Sequence, residues 1–191
     1  MDPDTSLLLV DLAIGRFDAE ALVIASLSEN VFTHLIDTGT EQGRKDMRTC
    51  LHQFGSMPPF NNIGIASNGP EIPVAFVDCM DELYNLIYQP GDHGKTTNLH
   101  FFGSNTRINN GCATLIKRGL HTNAKIYVSM DRTGNASQHG NWNLHEIDAV
   151  GDEMDISKIY FDETKLAKIP VTFEIMDDTR PTHQHHHGYR C

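Results

Sequence analysis

The stretch LHFFGSNTRINNGCATLIKRGLHTNAKIYVSMDRTGNASQHGNWNL, residues 99–144, contains the pattern that decides the fold. A short apolar run at residues 99–103 is followed by a helix-like run at 110–119 and a second apolar run at 124–130. Short apolar runs joined by a helix are typical of a βαβ unit, in which the two strands are parallel and buried. This segment therefore predicts two neighbouring parallel strands.

The same alternation extends toward the N-terminus. Apolar runs predict three earlier strands, at residues 6–12, 31–37 and 63–67. Helical spacing predicts helices at residues 19–27, 41–53 and 81–88, the first capped by Asp18 and the second by Thr40. Strands separated by helices of this length predict an α/β fold, with a mostly parallel sheet flanked by helices.

The pattern changes after Trp142. Residues 142–147, 156–161 and 166–176 each favour a strand, and no helical segment separates them. Ile169, Val171, Phe173 and Ile175 alternate with polar residues or proline, which is typical of a half-buried strand. Pro170 disfavours a central strand, so we expect an edge strand or one that begins at a bulge. We predict an α/β domain at residues 1–148, a β-rich extension packed on it at 149–178, and a flexible His-rich tail at 179–191.

The composition excludes several classes of protein. The chain has 191 residues and a formal net charge of −10, and its 15 Lys and Arg are scattered, which argues against nucleic acid as a partner. No apolar run approaches the roughly 20 residues that a membrane-spanning helix needs. The four cysteines are far apart in the sequence, which predicts buried free thiols rather than a disulfide framework or a zinc site. They are Cys50, Cys79, Cys112 and Cys191.

Three segments resemble a known family: IGIASNG (63–69), LHFFGSNTRINNG (99–111) and DRTGNASQHGNWNL (131–144). They are similar to the caspase-like (gingipain/caspase-fold) domain found near the N-termini of very large bacterial surface and adhesin-type proteins. The order and spacing of the similar segments agree over residues 7–144. The shared residues are Ile63, Ile65, Ser67, Gly69, Gly103, Asp131, Thr133, Gly134, Asn135, Gly140, Trp142 and Leu144.

The resemblance implies a site that has lost both of its catalytic groups. The family's histidine falls on Asn68, which cannot act as an acid or base, and its cysteine falls on Ser104. The resemblance thus implies a catalytically inactive structural or interaction module with no cofactor and an extracellular, surface or virion location. We expect a self-assembling subunit of a filament, surface layer or virion, which forms homo-oligomers through its C-terminal β segment.

Other functions stay open at this point. A hydrolase with a shifted site could use Ser104 with His93 or His100 as its base, or Cys112 with a histidine elsewhere. A ligand-binding module could use the vestigial cleft, around Asn68, Gly69, Asn105 and His93. The tail could hold a transition metal through imidazoles; its histidines are His183, His185, His186 and His187.

Overall fold

The computed structural model describes residues 4–67, 71–103, 114, 116–118, 120, 124–129, 131–147 and 153–170. Its centre is a seven-stranded sheet with the strand order β2-β1-β3-β4-β5-β6-β7. The first five strands in that order run parallel, and the last two are antiparallel to their neighbours. The strands are β1 (Ser6–Asp11), β2 (Val31–Ile36), β3 (Asn62–Ala66), β4 (Asn98–Phe102), β5 (Lys125–Val128), β6 (Asn143–Glu146) and β7 (Met154–Asp155).

Helices cover both faces of this sheet. The helices are α1 (Arg16–Ala25), α2 (Glu41–Phe54), α3 (Glu71–Asp78), α4 (Met80–Tyr84), α5 (Ser157–Tyr160) and α6 (Glu163–Leu166). Thr114, residues 116–118 and Leu120 are helical as well, between β4 and β5. The predicted α/β class, with a mostly parallel sheet flanked by helices, is confirmed.

Strand β1 shows how the sheet creates two cores. All six of its residues are buried, and successive side chains point to opposite faces. Leu7 and Leu9 pack in the core beneath α2, α3 and α4, whereas Leu8 and Val10 pack in the core beneath α1, α5 and α6. A strand buried on both faces needs the continuous apolar run that the sequence has here.

The two predicted helix caps have different outcomes. Thr40 caps α2 as predicted, because its hydroxyl accepts a hydrogen bond of 2.9 Å from the Gly43 amide. The prediction that Asp18 caps α1 is wrong, since this helix begins at Arg16 with Gly15 as its N-cap. The chain passes through the 3₁₀ turn Leu12–Ile14 directly into α1, so Asp18 lies in the first helical turn.

The segment between β3 and β4 is more helical than predicted. Helix α3 (Glu71–Asp78) had no predicted counterpart, and α4 ends at Tyr84 instead of residue 88. Pro73 is the third residue of α3, within the first turn, where amide groups have no partner inside the helix. A proline at this position is therefore compatible with a helix.

The prediction of a strand at residues 156–161 is wrong. Met154–Asp155 forms the short β7, and the chain then turns into the helix α5. The Asp155 carboxylate accepts hydrogen bonds from the Ser157 amide (2.9 Å) and hydroxyl (2.7 Å), which fixes this turn. Of the strand predicted at residues 166–176, Leu166 is helical, residues 167–170 form a turn, and residues 171–176 lie outside the described part.

Across the residues that the structure describes, no helix is both long and apolar enough to cross a bilayer. The prediction of no membrane-spanning helix is confirmed for that part of the chain.

Candidate functional site at the carboxyl edge of the sheet

The strand order brings three strand ends together at one edge of the sheet. The connection through α1 places β2 on one side of β1, and the connection through α2 places β3 on the other side. The point at which the strand order reverses is the usual ligand site of an open α/β sheet. Here it lies at the carboxyl ends of β1 and β3, so these residues are the first place to look for chemistry.

Asp11 occupies the middle of this edge and is completely buried. One carboxylate oxygen, Oδ2, accepts hydrogen bonds from the Ser67 hydroxyl (2.8 Å) and from the Thr38 hydroxyl. The other, Oδ1, accepts from the amides of Thr38 (3.2 Å) and Ala13 (3.1 Å). Asp11 therefore ties the ends of β2 and β3 to the end of β1; we call Asp11, Thr38 and Ser67 the Asp11 clamp.

The Asp11 clamp determines what this carboxylate can do. A carboxylate offers about four acceptor positions, and three donors of the clamp together with the Ala13 amide occupy that number. An oxygen already engaged by buried donors is poorly placed to take a proton from a substrate or to bind a cation. The arrangement therefore fits a structural anchor rather than a general base.

The next pair of strands is tied in a similar way. The Ser129 hydroxyl, just after β5, donates to the carbonyl oxygen of Gly103, just after β4. Ser129 is buried, as are Thr38 and Ser67. Buried hydroxyls thus tie the carboxyl ends of β1, β2 and β3 together, and the carboxyl end of β4 to that of β5.

The predicted degenerate pair follows two strands that are direct neighbours. Ala66 at the end of β3 is paired with Phe102 at the end of β4, and the Ser67 amide donates to the Phe102 carbonyl at 3.2 Å. Asn68 and Gly69 follow in one segment and Ser104 and Asn105 in the other, and all four lie outside the described residues.

His93, a predicted base and cleft residue, lies before β4 in the chain. It is exposed, in a loop whose small depression of about 40 Å³ is lined by residues such as Tyr88, Gly91 and Lys95. Strand β4 separates His93 from the sequence that follows Phe102, and five strand residues span roughly 16 Å. The structure therefore places His93 toward the opposite edge of the sheet from the Asp11 clamp.

His100, the other predicted base, is buried in the middle of β4. Its Nδ1 lies 2.6 Å from the Tyr160 hydroxyl, and its ring lies against Tyr127. Burial lowers the pKa of His100 from 6.5 to about 3, so the ring is neutral at ordinary pH. This histidine belongs to the core beneath α5.

One histidine that the sequence analysis did not single out lies in the loop between β5 and β6. Because β6 is antiparallel to β5, this loop lies at the same edge as the Asp11 clamp. His139 is exposed there and has a left-handed backbone conformation, with φ of 63°. Its only sequence signal was its position inside the segment DRTGNASQHGNWNL.

Asn135, in the same segment, connects that loop to the end of the described chain. Its side-chain amide donates to the carbonyls of Leu166 and Ile169, both at 2.7 Å, and its carbonyl accepts from the Trp142 indole at 3.0 Å. Trp142 is 7% exposed and packs among Phe102 and Phe161, so it belongs to the core. Asn135 and Trp142 are therefore held by contacts within the fold.

Two predicted free thiols are confirmed. Cys50 and Cys79 are buried and unbridged, and burial raises the pKa of Cys50 to about 11 and that of Cys79 above its ordinary value. Thiols of this kind are poor nucleophiles near neutral pH. Cys112 and Cys191 lie outside the described residues, as do His183, His185, His186 and His187. Within the described ranges, no three His, Cys, Asp or Glu side chains are grouped as a metal site would require.

Comparison with known proteins gave no match. This holds for family models, for curated proteins and for solved structures.

Proposed function

We propose that the chain is a catalytically inactive caspase-like domain that serves as a structural or interaction module. One combination of observations carries this proposal. Strands β3 and β4 end side by side, and the sequence after them has Asn68 and Ser104 where the similar family has its histidine and cysteine. Neither residue supplies the base or the thiol that this chemistry needs.

The contacts and positions of the described polar groups support the same proposal. The Asp11 carboxylate accepts four hydrogen bonds, and the Ser129 hydroxyl donates a hydrogen bond to a backbone carbonyl. His100 is buried and neutral, and His93 precedes β4. A hydrolase would need a base next to its nucleophile, and neither histidine considered from the sequence meets that need.

The module would act by assembly with copies of itself. Its net charge of −10 disfavours nucleic acid, and its C-terminal sequence continues into the alternating run VTFEIM at residues 171–176. A segment of this pattern can add to the edge of a sheet through main-chain hydrogen bonds. We therefore propose a self-assembling subunit of a filament, surface layer or virion.

Chemical labelling together with particle size tests this proposal. Serine-directed fluorophosphonate and cysteine-directed iodoacetamide probes are applied to the native chain, with Ser104→Ala as the matched control. We expect no labelling that depends on residue 104, and particles larger than one chain of 21.4 kDa in light scattering and negative-stain microscopy. Labelling that Ser104→Ala abolishes would support the hydrolase instead. A chelator added to the same samples reports whether the histidine tail takes part.

A further inference from the structure

Strand β2 forms one end of the sheet, and no described residue pairs with its outer side. Within the described part of the chain it pairs with β1 alone, through six consecutive residues in continuous register. An open edge presents a row of unpaired amide and carbonyl groups to any extended segment that approaches it. The sheet therefore has an acceptor for one more strand at this end.

The composition of β2 does not protect this edge. Its sequence, VFTHLI, has no proline and no Lys, Arg, Asp or Glu, and its register shows no bulge. Phe32 is 40% exposed toward the α2 side, and Leu35 is 38% exposed on the opposite face of the strand. Proteins usually block such edges with charges, prolines or bulges, so an unblocked edge with apolar side chains is suited to binding a strand.

The other end of the sheet is a weaker acceptor. Its last strand, β7, has only two residues. Two residues offer too few main-chain groups for a stable added strand. If a strand adds to this sheet, β2 is the better place.

The chain carries one segment suited to this acceptor beyond its last described residue, Pro170. Residues 171–176, VTFEIM, match the six residues of β2 in length and alternate in polarity. The chain leaves the fold beside Asn135, because the Ile169 carbonyl accepts a hydrogen bond from the Asn135 side chain. The same side chain holds the indole of Trp142, whose ring lies 6.0 Å from that of Phe102 at the end of β4.

The distance across the sheet shows which copy the segment reaches. Strand β4 lies three strand spacings from β2, roughly 14 Å, which takes about four of the six residues in an extended conformation. The crossing would leave about two residues to lie along β2 of its own chain. A neighbouring copy can present its β2 edge to the segment without this constraint.

We propose that residues 171–176 of one copy add as a strand to the β2 edge of a second copy. This inference rests on the proposed function and names the two surfaces of its assembly. Donor and acceptor are different surfaces of the chain, so the contact is head-to-tail. Such contacts produce rings or open filaments, whereas pairing of β2 with the β2 of a second copy would stop at a dimer.

A complementation experiment with the full chain tests this contact. Leu35→Lys places a charge at the acceptor edge and leaves the donor intact, and Phe173→Lys changes the donor and leaves the acceptor intact. His34→Lys is a second acceptor variant, on the opposite face of the exposed edge. Phe17→Lys is the matched control, because Phe17 is 74% exposed on α1, away from this edge. Circular dichroism and urea midpoints identify any variant that fails to fold.

The expected result distinguishes a contact between two different surfaces from a contact between two identical edges. The unchanged chain and Phe17→Lys form species larger than a dimer in sedimentation velocity, and each edge variant alone weakens association by about tenfold or more. A mixture of Leu35→Lys and Phe173→Lys has one intact donor and one intact acceptor. It forms a 1:1 complex of twice 21.4 kDa and stops there.

Three results would overturn the proposal. They are assemblies that persist in folded acceptor variants, acceptor variants that dissociate while Phe173→Lys has no effect, and an unchanged chain that is monomeric at every concentration. The second result would identify β2–β2 pairing. The first two leave the inactive module standing, because its own test is the labelling that depends on Ser104.

Discussion

The carboxylate of Asp11, the last residue of β1, accepts a hydrogen bond of 2.8 Å from the hydroxyl of Ser67, which lies 56 residues later in the chain. Both residues are buried, and Thr38 completes the Asp11 clamp. This contact joins the two strands at which the order of the sheet reverses. We therefore expect loss of the Asp11 clamp to lower the stability of the fold.

Asp11→Ala is expected to lower the free energy of unfolding by about 3 kcal/mol. The substitution leaves two buried hydroxyls and a buried amide without their acceptor, and each unsatisfied group costs about 1–3 kcal/mol. Urea unfolding followed by circular dichroism measures the change. The control is Asp46→Ala on the exposed surface of α2, for which we expect at most about 0.5 kcal/mol. Equal stability of the two variants would show that the clamp does not stabilise the fold.

His100 is expected to make the fold sensitive to acid. Burial lowers the pKa of His100 to about 3, whereas in the unfolded chain it titrates near 6.5. Between these values the unfolded state binds the proton and the folded state does not, so stability falls as the pH falls, by up to about 1.4 kcal/mol per pH unit. The full contribution is present above pH 6.5.

The comparison of His100→Gln with the unchanged chain isolates this effect. From pH 6.5 to pH 5 we expect the unchanged chain to lose about 1.5 kcal/mol more than His100→Gln, measured by urea unfolding at each pH. His52→Gln, at an exposed position of α2, serves as the control and should keep the slope of the unchanged chain. Parallel pH profiles for His100→Gln and the unchanged chain would contradict the prediction.

Gly64 in β3 is expected to tolerate no side chain. A Cβ atom at this position would lie 2.6 Å from Cζ of Tyr160, whose ring is buried against the strand. Gly64→Ala should therefore destabilise the fold by about 1–3 kcal/mol. Gly39→Ala is the matched control, since its Cβ would meet only the Asp37 carboxylate, at 3.4 Å. Thermal unfolding distinguishes the two, and equal midpoints would show that the Tyr160 ring moves aside without cost.

Asn135 is expected to hold α6 against the sheet. Asn135→Asp keeps the shape and the acceptor for the Trp142 indole, but it removes the amide that donates to the Leu166 and Ile169 carbonyls. We expect faster hydrogen exchange in residues 163–169 and a loss of about 2 kcal/mol, because two carbonyls then face a carboxylate. Gln138→Ala, exposed in the same loop, should leave that exchange unchanged. Unchanged exchange in Asn135→Asp would show that other contacts hold α6.

The sequence predicted the elements whose structure depends on local pattern. Buried parallel strands are continuous apolar runs, so β1, β3 and β4 were found within a residue or so of their bounds, and Thr40 was recognised as a cap by its residue type. Residues 156–161 were misassigned because Ile156, Ile159 and Tyr160 have the i, i+3, i+4 spacing of a short helix, which was interpreted as a strand. The Asp11 clamp could not be predicted, since it joins residues 27 and 56 positions apart and depends on the order and register of three strands.

The central position of β1 has a consequence during synthesis of the chain. Strand β1 precedes both of its neighbours in the chain: it pairs with β2 on one side and with β3 on the other, and β3 ends at Ala66, 55 residues after Asp11. At 5–20 residues per second, this interval lasts roughly 3–11 s. Throughout it, the apolar run Leu7–Leu8–Leu9–Val10 has one side without its partner strand. Nascent chains of this protein are therefore exposed to aggregation or to chaperone binding for seconds before β3 is available to pair with β1.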